Sequence, residues 1–137
     1  MKSVYLTVCV VFLAVLQAPF VLANEMKALG TKADQYYQQG NFKSAYKTYF
    51  KLAKAGDHYS QHQIAKMSAN GEGTTVNLTK AYAWIVLAAE SGEDGLVDES
   101  DQLLQRINDN EKDKALNSAT KLKKKYGHDY IRIRKNK

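Results

Sequence analysis

His58 and His62 stand four residues apart in HYSQHQIAKMSAN, a stretch that reads as helix, so their imidazoles fall on one face. That spacing suits two ligands of one metal ion. Zinc needs at least three protein ligands, and the remaining histidine, His128, is far along the chain. Two exposed histidines on a polar helix face is the stronger reading, and no metal is expected. Gly71-Glu72-Gly73 has glycines but lacks both the Lys-Ser/Thr and the preceding strand of a phosphate loop, so it reads as a turn between helices. Asn77-Leu78-Thr79 is a glycosylation sequon, yet Asn at the start of a helical pattern is better explained as an N-cap. No nucleophile is paired with a base, and no cofactor motif is present. The expectation is a protein that is not an enzyme and holds no cofactor.

The other charged feature is the C-terminal end: Lys121, Lys123, Lys124, Lys125, Arg132, Arg134, Lys135 and Lys137. Residues 127–137 read as a basic tail, extended or disordered. A solvated tail is the plainer account. Contact with an anionic surface, lipid or envelope polymer, is the alternative function it supports. The formal charge of the chain is 20 − 14 = +6.

Residues 1–23 have the pattern of a secretory signal peptide. Lys2 gives the positive start, Val4 to Leu16 is apolar apart from Thr7, Gln17 and Pro19 break the run, and Val21-Leu22-Ala23 supplies the cleavage positions. An uncleaved anchor is the alternative, but the apolar run is short of the roughly 20 residues that span a bilayer. Cleavage after Ala23 removes the single Cys, Cys9, and leaves 24–137 with a charge of 19 − 14 = +5 and no transmembrane span. An exported protein, periplasmic or secreted, is expected, and nucleic acid is not an expected partner.

The length of 137 residues implies one domain, here 24–126. Met26, Leu29, Ala33, Tyr36 and Tyr37 share one helical face. Gly40-Asn41 stops that helix and caps the next, whose stripe is Phe42, Ala45, Tyr46, Tyr49, Phe50, Leu52 and Ala53. Gly56-Asp57 repeats the punctuation before a third helix with an inner face of Ser60, Ile64, Met67 and Ser68. The fourth, from Leu78 to about Ser91, is apolar around almost its whole circumference, which requires helical neighbours on several sides. Leu96, Ser100, Leu103, Leu104 and Ile107 share a face in the fifth. Asn108 with Glu111 suggests a capping box for the sixth, which turns Ala115, Ala119, Leu122 and Tyr126 inward.

A shift of 36 residues lays SAYKTYFKLAKAG (44–56) over KAYAWIVLAAESG (80–92), matching Ala45 with Ala81, Tyr46 with Tyr82, Ala53 with Ala89 and Gly56 with Gly92. A period in the thirties with two helices per unit predicts an all-α fold, a short α-solenoid of antiparallel helix pairs.

On these residues the chain resembles the Sel-one-like repeat family, relatives of the tetratricopeptide repeat. Gln61, Ile64, Met67, Gly71, Gly73, Lys80, Ala81, Trp84, Ala88, Ala89 and Gly92 stand at that family's spacing, while Ser60, Ala65, Ser68, Thr74 and Asn77 depart from it. Residues 33–57 look like a divergent first repeat, and the last two helices are similar to the pair that closes short bacterial members. The resemblance implies a helical scaffold that binds another protein or peptide through the first helices of its repeats. On that basis the expected partner surface is His58, His62 and Lys66 on the third helix, with Gln35 and Gln38 on the first. Gly56 and the motif residues from Gly71 to Gly92 are expected to be architectural.

Overall fold

The computed structural model describes residues 21–127. The expected signal peptide apart from 21–23, and the basic tail apart from Gly127, lie outside the described residues. Among those described, six helices and no strand are present. They are α1 (21–38), α2 (Phe42–Lys54), α3 (His58–Asn70), α4 (Leu78–Ala88, continued by a 3-10 turn, Ala89–Ser91), α5 (Leu96–Gln105) and α6 (Asp109–Tyr126).

Local chemistry sets the starts of three helices. The side chains of Asn41, Asp57 and Asn77 accept from the N–H groups of Ser44 (3.3 Å), Ser60 (2.8 Å) and Lys80 (2.8 Å). Each bond satisfies an orphan donor of the first turn and stabilises its helix by about 1 kcal/mol. Asn41 and Asn77 are themselves 36 residues apart, so the repeat extends to the caps. The capping box expected at α6 does not form. The Glu111 N–H donates to the Asn108 carbonyl at 2.8 Å, and the Asn108 side chain makes no cap bond. The backbone turn has taken the donor that the side chain would have accepted.

α4 is the centre of the core. Ala81, Ala83, Trp84, Ile85, Leu87 and Ala88 are all buried, and the helix packs on α3, α5 and α6. Both α3 and α4 bury small residues, Ser60, Ala65 and Ser68 on the one and Ala81 and Ala83 on the other. The residues that the 36-residue shift superposes share some local features. Ala45 and Ala81 are both fully buried, and Gly56 and Gly92 both end their segments at positive φ, +96° and +76°. The substitution Ala81→Leu is expected to cost about 1–3 kcal/mol, because added methylenes must push α4 off a close-packed neighbour. Chemical denaturation of the two forms checks this. An unchanged midpoint would show that the site has room.

The last two helices do not close on each other as a tight pair. α5 and α6 each pack on α4 rather than on one another. The reason lies in their buried faces. α6 brings only alanines, Ala115 and Ala119, to full burial, so its backbone sits close against α4, and Leu122 and Tyr126 follow along the same side. Tyr126 stacks on Trp84, with ring centroids 5.9 Å apart.

Tyrosine hydroxyls fasten α1 to the rest. Asp34 accepts from Tyr49 (2.6 Å) and Tyr59 (3.2 Å), and Glu72 accepts from Tyr37 (2.9 Å). Burial, then the bond to Asp34, pushes the Tyr49 phenol well above its usual 10.0. Burial and the Asp34 charge raise Tyr59, the Glu72 bond and burial raise Tyr37, and burial with Asp101 raises Tyr82. Each folded pKa lies above the unfolded one, so this stabilisation is complete below pH 10 and is lost as pH rises beyond it. Ultraviolet titration of the native chain should show these four phenols ionising later than the same phenols in urea. A single native transition matching the unfolded one would contradict the assignment.

Candidate functional site

The two histidines of α3 are committed to different partners. Gln61 is fully buried, and its Nε2 donates to the Ala53 carbonyl at the end of α2 (3.1 Å). That bond fixes the amide so that Oε1 faces His58, whose Nδ1 donates to it across 3.1 Å. His58 therefore locks the α2–α3 corner. His62 turns the other way, and its Nε2 lies 3.0 Å from Glu99 Oε2 on α5. Its side chain is 22% exposed against 45% for Glu99. The pair links α3 to α5. Among the described residues no group of three or more His, Cys, Asp or Glu is placed to hold a metal.

Lys66, one turn beyond His62, stays exposed and lines a cleft of about 300 Å³ between α3 and α5. Its rim continues through Asn70, Gln102 and Arg106, with Glu99 at the edge held by His62. Ala65, Ile85 and Leu103 form an apolar floor, all three buried. Such a cleft can take an apolar side chain while its two amides and two cations meet backbone or carboxylate groups. Lys66 and Arg106 have no ion-pair partner among the described residues, so their charge is free to act on a ligand.

Of the surface expected from sequence, His62 and Lys66 reach this region and His58 does not line it. Gln35 and Gln38 are exposed on α1 and do not line it either. Glu99, Gln102 and Arg106 were missed. Their spacing, three and four residues apart on α5, marks a polar helix face, but nothing local points that face at α3. Ala81, Trp84 and Ala88 are buried, and Lys80 lies over the Tyr46 ring at 5.0 Å.

No helix of the described residues is long and apolar enough to cross a membrane. Compared with known proteins, the chain matches no family model and no curated protein.

Proposed function

We propose that this protein is a non-catalytic interaction scaffold, a short Sel-one-like α-solenoid exported to the periplasm or secreted, which captures a peptide or protein segment in the α3–α5 cleft. The observation that carries this reading is the cleft itself: an apolar floor between α3 and α5, with Lys66 and Arg106 free on its rim. A polar rim around a small apolar floor gives modest affinity resting on a few anchors. The His62–Glu99 bond holds the two walls at a fixed separation, so the cleft is formed before a partner arrives.

The test is crosslinking capture from native envelope with wild type, with Lys66→Glu/Arg106→Glu, and with residues 128–137 deleted. Capture should be lost in the double variant, with helicity unchanged, and kept in the deletion. The reverse pattern would replace this reading with anionic-surface binding through the tail.

Export carries its own prediction. The mature protein should begin at Asn24 and contain no thiol, because Cys9 leaves with residues 1–23. Intact mass and a thiol-reactive label on the exported species check it, and a labelled product would overturn the localisation.

A further inference from the structure

A second cleft, of about 370 Å³, opens where α6 crosses α4, with Phe50 of α2 at its edge. Its floor is aromatic. Trp84 meets Phe50 edge-on at 5.6 Å and stacks with Tyr126 at 5.9 Å. Its charged lining residues are Lys80 from α4 and Lys114 from α6, and no carboxylate lines it. On α6, Glu111 lines the adjoining hollow beside Arg106, and Asp113, next to Lys114 in sequence, does not line the cleft.

The wall on α2 has the same sign. Lys54 Nζ sits 4.9 Å from the Phe50 ring centroid. Lys43, Lys47 and Lys54 are spaced seven and three residues before Phe50 and four after it, so they share its side of the helix, and all three are exposed. No acidic residue occurs from 35 to 56.

We propose that this cleft docks an acidic peptide segment of a partner protein: one large apolar side chain enters over Trp84 and Tyr126 while flanking carboxylates meet Lys80 and Lys114. Charge complementarity selects the occupant, since both walls are cationic and uncompensated. Shape narrows it further. Trp84 is only 2% exposed, at the bottom of the cleft, where a side chain can reach and a flat headgroup layer or a duplex cannot. The chain's own residues 128–137 are the wrong sign, with Arg132, Arg134, Lys135 and Lys137 against Asp129. The proposal stands apart from the α3–α5 cleft, which uses other residues.

Trp84 is the sole tryptophan of the chain, so intrinsic emission reads this cleft directly. The full exported chain is titrated with the amidated hexapeptide EDFEEL, and in parallel with KKFKKL, phosphatidylglycerol vesicles and oligothymidine. The acidic peptide should give a saturable change in Trp84 emission that weakens with added salt. Lys114→Glu should weaken it about tenfold, and Lys66→Glu should leave it unchanged. Lys114 is exposed on the rim, whereas Lys80 also covers the Tyr46 and Phe50 rings, so Lys114→Glu is the deciding variant and Lys80→Glu the supporting one. The proposal is overturned by silence with EDFEEL or by an equal response to KKFKKL. It is equally overturned by a response confined to vesicles or oligothymidine, or by wild-type affinity in Lys114→Glu. None of these outcomes alters capture through Lys66 and Arg106.

Discussion

Trp84→Ala is expected to lower the unfolding free energy by about 3–5 kcal/mol, the range for removing a large buried aromatic. Trp84 is buried between Phe50 and Tyr126, rings contributed by α2 and α6, so its loss opens a cavity that touches three helices at once. Relaxation cannot fill it cheaply. Three of the neighbouring positions on α4, Ala81, Ala83 and Ala88, have no length to give, and α6 already sits close through Ala115 and Ala119. A domain of this size has a total stability of about 5–15 kcal/mol, so the variant should be close to unfolded at ambient temperature. Trp84→Phe keeps a ring against both neighbours and should lose markedly less. Urea denaturation followed by far-ultraviolet circular dichroism checks both, and a Trp84→Ala midpoint within error of wild type would show that the aromatic row is not part of the core.

Gly73→Ala should follow closely, at about 2–5 kcal/mol. Two costs combine. Its φ of +70° is a left-handed conformation that charges a residue with a Cβ about 1–2 kcal/mol. The added Cβ would also overlap the Phe42 carbonyl and the Lys43 amide nitrogen, and overpacking of that kind costs about 1–3 kcal/mol. The obstruction is backbone at the first turn of α2, so no rotamer change relieves it. Gly40→Ala is the matched control. It has nearly the same φ, +72°, with open space where a Cβ would sit, and should cost only the conformational part, about 1–2 kcal/mol. Equal losses in the two variants would mean that the 71–73 loop does not press on α2.

These two positions divide the question of what sequence can convey. Both belong to the motif on which the chain resembles a repeat family, and the sequence marked both as structural. Glycine at 73 read as a turn residue, which is a local fact. That the turn lies against the start of α2, about thirty residues earlier, is a tertiary fact that no pattern within the loop encodes.

The same division runs through the molecule. Helix positions, the caps at Asn41, Asp57 and Asn77, and the inner faces of α3 and α5 were legible, as was that of α2 apart from Phe42, which stands exposed at the start of the helix. Helical periodicity and capping chemistry act over three or four residues, and the 36-residue repeat writes them twice. The lysine row of α2 is equally plain in the sequence, at positions 43, 47 and 54 without an intervening acid.

Three features waited for the tertiary structure. His62 is bonded to Glu99, 37 residues away, where sequence placed it on an open surface. α6 lies on α4 and not on α5, because two small residues admit close approach and the aromatic side chains decide the partner. Both clefts arise between helices that are not neighbours in sequence. Periodicity fixes which face of a helix is buried, but not which other helix buries it. That choice is made by the fit of side-chain volumes across the interface, and there the sequence alone falls silent.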